Sequence, residues 1–337
     1  MKTYYEYNLR PHNTFGIAVS CKCFAEYDDI RDCAEFLKTL PKDEKILHIG
    51  SGSNLLFTKD FDGTVLHSAI HSFEVVQETD TEVLVRVGSG VVFDDFIAWS
   101  LEQGYYGAEN LSAIPGEVGS SAVQNIGAYG VEAEQIIEAV EVYDSQASSY
   151  QTLTHDECRY AYRHSIFKEY PGRYIVHHVL FRLKKQFVPQ LQYRALQREV
   201  ERLGLSPESL SAADVRRLVT DIRAAKLPDY HVIGNGGSFF MNPVVDVETF
   251  KSIQQQYPDM PFFETPLGFK IPAGWLIEQC GWKGRRVGHA GVYEKQALIL
   301  VNYGDATGQE ICDLSRAIQQ SVQEKFGISI HSEVNIF

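Results

Sequence analysis

Seventeen consecutive residues, Ile114, Pro115, Gly116, Glu117, Val118, Gly119, Ser120, Ser121, Ala122, Val123, Gln124, Asn125, Ile126, Gly127, Ala128, Tyr129 and Gly130, carry four glycines, two alanines and two serines. Side chains this small let backbone come close to a flat ligand and turn N–H groups towards its ring edge. A glycine-rich loop with no ligand is the plain alternative. A second turn, Gly50, Ser51, Gly52, Ser53 and Asn54, directly follows a short apolar run over 45–49 that reads as a strand. Its glycines allow a tight turn in which successive N–H groups converge on an anion, and its Ser and Asn add side-chain donors, which suits a pyrophosphate. The turn is neither G-x-G-x-x-G nor G-x-x-x-x-G-K-[ST], so neither the dinucleotide fold nor the P-loop is supported, and an ordinary turn stays open.

Three further segments carry reactive groups. Arg163 is flanked by aromatic and apolar residues, as either a carboxylate clamp or a salt bridge at the edge of the core. Ser238 stands between Gly236, Gly237 and the aromatic pair Phe239, Phe240, in a segment that is not a G-x-S-x-G elbow, which argues against a serine hydrolase. Arg223 and Lys226 are three apart near the end of a helix, with a solvated face as the alternative to a ligand contact. The net charge of −13 argues against a broad basic face for nucleic acid, and it requires an anionic ligand to meet cations concentrated locally.

No apolar run approaches the roughly 18 residues of a membrane helix, and the start, Met1 to Glu6, has no signal-peptide character. A cytoplasmic monomer with no membrane partner is expected. The six cysteines include one close pair, Cys21 and Cys23, with no second pair to complete a zinc set, and reduced thiols fit the cytosol. No metal is expected: His67 and His71 fall on a strand leading into a loop, and the neighbours His177 and His178 are expected on opposite faces of a strand.

The fold class is α+β. Strands are expected over 45–49, 82–87, 137–143 and 174–183, and a helix over 94–103 that Gly104 stops. Residues 185–210 read as a connector holding one short helix. Ser211 and Asp214 open a helix with the stripe Val215, Leu218, Val219 and Ile222, stopped by Pro228. Thr307 and Glu310 open another, with Ile311, Leu314, Ile318 and Val322, ended by Gly327. Residues 328–337 alternate as a strand, with Ile328, Ile330, Val334 and Ile336 on one face and His331, Glu333 and Asn335 on the other. From pattern alone, Glu333 reads as merely solvated.

Taken in order, these segments resemble the UDP-N-acetylenolpyruvoylglucosamine reductase family. The match runs from Asn13-Thr-Phe-Gly16 to Ser332-Glu-Val334 and takes in 50–54, 114–116, 124–130, Tyr162 and Arg163, 165–168, 226–229, 237–240, Asn242 and Pro243, and 273–277. It is similar to the longer branch of the family, with an extra segment bearing Tyr193. The resemblance implies a vanillyl-alcohol-oxidase (PCMH)-type FAD-binding fold of two α+β subdomains over 1–70 and 71–205, then an α+β substrate-binding domain over 206–337. It implies noncovalent FAD, held by 50–54, Ile114, Pro115, Gly116, Gly119, Ser120, Ser121, Gln124, Asn125, Gly127, Ala128, Tyr129, Gly130 and Arg182, and NADPH as hydride donor. The implied reaction is the reduction of UDP-N-acetyl-3-O-(1-carboxyvinyl)-glucosamine to UDP-N-acetylmuramate in peptidoglycan precursor synthesis.

The resemblance assigns Arg163 and Glu333 to the charge that builds beside the substrate carboxylate and Ser238 to proton delivery at the alpha carbon. A bare carboxylate would repel that charge, so Glu333 has to hold a proton there. Tyr193, Arg223, Lys226, Asn242 and Gln296 match contacts to the UDP-sugar or nicotinamide. Two features depart from expectation. Only four residues follow Glu333, which leaves its segment little anchoring, and Glu117 puts a negative charge near the flavin loop. Two other readings remain open: an oxidase of the same fold acting on a sugar or alcohol, and a non-catalytic flavin or nucleotide-sugar binder.

Overall fold

The computed structural model describes residues 1–337. The chain begins with β1 (Lys2–Asn8), β2 (Ser20–Tyr27), α1 (Ile30–Thr39), β3 (Ile46–Ile49), β4 (Leu55–Leu56), β5 (Phe61–Ser68), β6 (Phe73–Glu78) and β7 (Glu82–Gly88). Next come α2 (Phe93–Glu102), α3 (Val118–Gln124), β8 (Gly127–Ala128), β9 (Val131–Glu132), β10 (Ile137–Asp144), β11 (Ser149–Thr154), α4 (Ile166–Glu169) and β12 (Tyr174–Lys184). After α5 (Arg194–Arg202) and α6 (Ala212–Lys226) come β13 (Gly234–Ser238), β14 (Val244–Val245), α7 (Val247–Gln256), β15 (Phe263–Thr265) and β16 (Gly268–Lys270). The last elements are α8 (Ala273–Gln279), β17 (Arg286–Val287), β18 (Ala290–Val292), β19 (Ile299–Asn302), α9 (Gly308–Phe326) and β20 (Asn335–Ile336). Two compact units result: Met1–Tyr7, Cys21–Ser51 and Asp62–Ala225 form the first; Asn8–Ser20, Gly52–Phe61 and Lys226–Phe337 form the second.

The first unit holds two larger sheets beside the two-stranded pair β8-β9. One has the order β1-β2-β5-β3, with β3 and β5 parallel; the other is an antiparallel sheet in the order β11-β10-β12-β7-β6. Alternation in β7 sends Val83, Val85 and Val87 to one face, where they meet Val179, Phe181 and Leu183 of β12 and the apolar stripe of α2 and α3. Phe96 of α2 stacks on Phe181 with ring centroids 4.4 Å apart. Burying a side chain of this kind stabilises by about 1.5–3 kcal/mol. Residues 185–210 are more than a connector: Leu196 and Val200 of α5 pack on Leu218, Val219 and Ile222 of α6 in a small core of their own. Ser211 and Asp214 cap α6 reciprocally, as their spacing predicts.

The expectation for His177 and His178 fails. The register between β10 and β12 shifts, so that Glu141 faces His178 while Val142 faces Val176, and His177 is the extra residue of a bulge. Both rings therefore leave the same face of the sheet, with their Nδ1 atoms 2.7 Å apart. Glu141 Oε2 lies 3.7 Å and 3.6 Å from those two nitrogens. Arg86 already supplies the cation for this cluster, reaching Glu141 at 2.6 Å and His178 Nδ1 at 3.0 Å. Burial is the main cause that lowers both histidines to about 4, aided at His177 by His178 and at His178 by Arg86. An unfolded chain binds their protons below the ordinary value of 6.5, whereas the folded chain waits until about 4. This contribution to stability is present above pH 6.5 and is lost as the pH falls towards 4. The unfolding free energy should drop across that window by an amount on the order of 1–2 kcal/mol per pH unit, lowering the midpoint, and His177→Gln should flatten the drop. Thermal unfolding recorded from neutral pH downwards checks this, and an unchanged midpoint above the carboxylate range would refute it.

In the second unit, β13 pairs with β19 in an antiparallel sheet of order β13-β19-β18-β17. The segment Asn13-Thr-Phe-Gly16 packs on β13. The Thr14 hydroxyl donates to Asn235 O at 2.6 Å, and a Cβ at Gly234 would come within 2.3 Å of Phe15 O. Thr307 and Glu310 form the capping box of α9, and Gly327 ends the helix at φ 69°. The C-terminal segment differs from a single strand. Ile328, Ile330 and Val334 are buried, but only Asn335–Ile336 forms a strand, and Ile336 is exposed. Nor is the segment loosely held. β20 pairs in parallel with β4, Phe337 O accepts from the Thr58 N–H at 2.8 Å, and the Phe337 ring packs against Phe57 and Phe61.

Candidate active site

In the first unit the two glycine-rich segments line one cavity of about 80 Å³. Gly50, Glu117, Gly119 and Ser120 contribute from the expected segments, together with His48, Ser68 and Ser89. The loop before α3 clamps onto the turn after β7: Phe93 N–H donates to Gly116 O at 3.0 Å, Val118 N–H to Val91 O at 2.9 Å and Gly119 N–H to Ser89 O at 2.9 Å. Gly119 has no room for a side chain, since a Cβ there would lie 2.8 Å from that of Ser89. Gly116 at φ 135° and Gly52 at φ 71° hold conformations that favour glycine. Ser120 Oγ accepts from the Glu117 N–H at 3.0 Å, whereas the Ser121 hydroxyl is buried against Val118 O at 2.7 Å. The Ser51 hydroxyl is buried without a hydrogen-bond partner, a donor left for a ligand. That orphaned hydroxyl and the close backbone approach at Gly50 and Gly119 fit the phosphate part of a bound dinucleotide. The turn after β7 was missed in the sequence, although Gly88-Ser-Gly90 repeats Gly50-Ser-Gly52 and likewise ends a strand.

Arg163 is held against the second half of the same loop. Its Nη1 donates to Asn125 O at 3.2 Å and its Nη2 to Gly127 O at 3.0 Å, while Lys168 Nζ donates to Arg163 O at 2.9 Å and Gln124 Oε1 at 3.0 Å. Asn125 ends α3 in the left-handed region at φ 44° and donates to Ala161 O at 3.0 Å. Arg163 itself has φ 55°, so the chain turns sharply to present the guanidinium. Tyr129, Tyr193 and Arg223 also come together. The two tyrosine rings meet edge to face at 5.3 Å, and Arg223 Nε donates to Ala113 O at 3.1 Å. Burial lowers the Arg223 pKa, opposed by Tyr129 and Asp94, which makes it a desolvated cation rather than part of a solvated face. Arg182 is not brought to the cavity. Phe181 and Leu183 take the core side of β12, so Arg182 points to the other face, where it pairs with Glu138 at 2.8 Å and Glu82 at 3.6 Å.

The second unit gathers the other expected residues. Gly237 at φ 70° precedes Ser238, which is exposed at the end of β13 beside a register shift. Glu333 lies on the neighbouring segment, its N–H donating to Phe239 O at 2.8 Å and its carbonyl accepting from Asn54 Nδ2 at 3.3 Å. A bridge between Phe240 and Ser332 continues the pairing. Ser238 and Glu333 thus stand on adjacent backbone strips, Glu333 bonded to Phe239, the residue after Ser238. Asn242 and Gln296 both reach the start of α8: Asn242 Oδ1 accepts from the Ala273 N–H at 2.9 Å, and Gln296 Oε1 lies 3.0 Å from where a Cβ on Gly274 would stand. Lys226 is exposed at the last residue of α6.

Residues 21–152 match the sequence model of an FAD binding domain, and residues 228–337 match that of the UDP-N-acetylenolpyruvoylglucosamine reductase C-terminal domain. A UDP-N-acetylenolpyruvoylglucosamine reductase of Bacteroides fragilis is 50% identical over 332 residues, 98% of this chain and 98% of that one. The chain belongs to the UDP-N-acetylenolpyruvoylglucosamine reductase family. A second reductase of this family, from Porphyromonas gingivalis, is 46% identical over 98% of this chain and 97% of its own. Among solved structures, the reductase from Thermus caldophilus superposes with a TM-score of 0.66 at 20% identity, covering 100% of this chain and 98% of that one. The fold of this family member is the expected FAD-binding α+β architecture followed by a C-terminal α+β domain, and no helix is long and apolar enough to cross a membrane.

Proposed function

We propose that this family member reduces UDP-N-acetyl-3-O-(1-carboxyvinyl)-glucosamine to UDP-N-acetylmuramate, with NADPH as electron source, in the synthesis of peptidoglycan precursors. The observation that carries the reading is the 50% identity over 98% of the chain to a reductase of that name, and the backbone pairing of the Glu333 N–H with Phe239 O, next in sequence to Ser238, supports it. FAD, held noncovalently by the glycine loops, supplies the hydride chemistry between NADPH and the terminal alkene carbon. Arg163 donates to the substrate carboxylate, where negative charge builds, and its two backbone anchors keep the guanidinium fixed before charge develops. Glu333 holds a proton between itself and that developing charge. The Ser238 hydroxyl then delivers a proton to the alpha carbon. Serine is a weak acid, so a cation must assist it, and Lys226 is assigned that part or a phosphate contact. Tyr193, Arg223, Asn242 and Gln296 are assigned to the UDP-sugar and nicotinamide. Residues 1–70 and 71–205 are assigned to FAD and 206–337 to the substrate, in a monomer working in the cytoplasm without nucleic acid or membrane partners.

An absorbance spectrum tests the reading. A flavin band that bleaches with anaerobic NADPH and returns with the enolpyruvyl sugar supports it. A band that ignores the sugar and returns with oxygen would make the chain an oxidase, and a colourless protein that takes up no FAD would remove its basis. Because the substrate is anionic and the chain carries −13, its contacts rest on local cations. The KM for the sugar should rise severalfold between about 0.05 and 0.5 M salt while kcat holds. A KM indifferent to salt would argue for neutral recognition.

A further inference from the structure

Glu117 is the one carboxylate in the wall of the cavity formed by the glycine segments. It is buried, and its Oε2 lies 3.1 Å from where a Cβ on Gly50 would stand. Its other oxygen meets His67 Nε2 at 3.1 Å. The opposite ring nitrogen of His67, Nδ1, faces Glu26 Oε2 at 3.4 Å, so β5 carries an imidazole with a carboxylate at each end. Such an arrangement suits the imidazolium, which has two N–H donors for two acceptors; a neutral ring would turn a lone pair on one carboxylate.

The surroundings support that state. Phe24 of β2 stacks on the His67 ring with centroids 6.0 Å apart. His48 of β3 adds no positive charge, because burial lowers it to about 3, and it bonds instead to the Tyr27 hydroxyl at 2.9 Å. His71 acts on Glu117 from beyond β5. Burial works against the charge on His67, but Glu117 and Glu26 outweigh it and raise its pKa. Burial likewise raises that of Glu117 against the pull of His67. Both shifts run towards holding a proton.

A diphosphate drawn to the turn at Gly50 and Ser51 brings negative charge to the wall that Glu117 occupies. Two uncompensated anions in a buried site repel each other. We propose that His67 and Glu117 form a proton-holding pair in the wall of the flavin site, so that FAD binds together with a proton. The inference rests on the reading of the two glycine segments as an FAD site. His67 is a positioning residue here: its Nε2–H holds Glu117 Oε1 and cancels the carboxylate's charge beside the incoming phosphates. Once His67 loses its proton, Glu117 opposes the diphosphate and the cofactor is released.

The holoenzyme is diluted in a pH series from about 6 to 9, and the fluorescence of released flavin gives the FAD Kd at each step. One coupled proton weakens binding by up to about tenfold per pH unit above the pKa of His67 in the flavin-free chain. His67→Gln, which keeps an amide but cannot titrate, removes the slope. Glu117→Gln removes it as well and leaves FAD tighter than wild type at the alkaline end. A wild-type Kd that stays flat across the series overturns the pairing, and so does a His67→Gln protein that keeps the wild-type slope. The wild-type series decides the question even if a variant fails to fold. A protein that takes up no FAD at any pH refutes the reading of the site itself, whereas a yellow protein with a pH-flat Kd refutes only the pair.

Discussion

Ser238→Ala leaves flavin reduction by NADPH fast and slows the return of the flavin band with the enolpyruvyl sugar by about 10²–10⁴-fold, the range for loss of a positioned proton donor. The split follows from placement. Ser238 stands in the second unit at the exposed end of β13, and the substitution removes one oxygen without touching the pairing of that strand with Ile299. The cradle of Gly50, Gly119 and Ser120 belongs to the first unit and is unaltered. Stopped-flow absorbance resolves the two half-reactions. If both are unchanged the hydroxyl is not the proton donor, and if both slow together the variant has disturbed more than proton transfer.

Arg163→Ala should cost about 2.7–4 kcal/mol of transition-state stabilisation, the scale of a lost oxyanion donor, read as a fall in kcat of about 10²–10³. Here a structural contribution must be separated from a chemical one, because the same guanidinium ties Asn125 O and Gly127 O. Arg163→Lys separates them. A lysine retains a positive charge but offers no fork for two carbonyls and a carboxylate together. If the role is charge stabilisation, lysine recovers part of kcat. If it is only loop anchoring, both variants lose flavin alike, which the ratio of flavin to protein absorbance reports. Near-normal turnover in Arg163→Ala would remove the residue from the mechanism.

Much of the fold was legible because it is written locally. The strands near 46–49, 82–88 and 137–144 follow short apolar or alternating runs, and both capping boxes stand where Ser211, Asp214, Thr307 and Glu310 put them. Features that depend on a distant partner were not legible. The bulge at His177 exists only in register with β10, so no pattern within β12 announces it. Arg182 looks like any half-buried arginine until Glu138 and Glu82 appear across the sheet. The site divides in the same way. The ordered glycine motifs marked the cavity wall, but the pairing of Glu117 with His67, 50 positions away, has no sequence signature. The segment around Glu333 read as a weakly anchored strand because its partners, Asn54 and Thr58, precede it by about 280 residues.

That last pairing also sets an order of events during synthesis. The short strand at Leu55–Leu56 emerges from the ribosome well before its partner Asn335–Ile336, which lies about 280 residues further along. Until then Leu55, Leu56 and Phe57, all buried in the finished protein, have no C-terminal cover, and an apolar edge of that kind invites pairing with other chains. The second unit can therefore complete itself only after Asn335–Ile336 has been made. A chain cut before Asn335 would lose the clasp that seats Glu333 and leave an adhesive edge as well, so cells should clear it as a misfolded product instead of accumulating it as an inactive reductase.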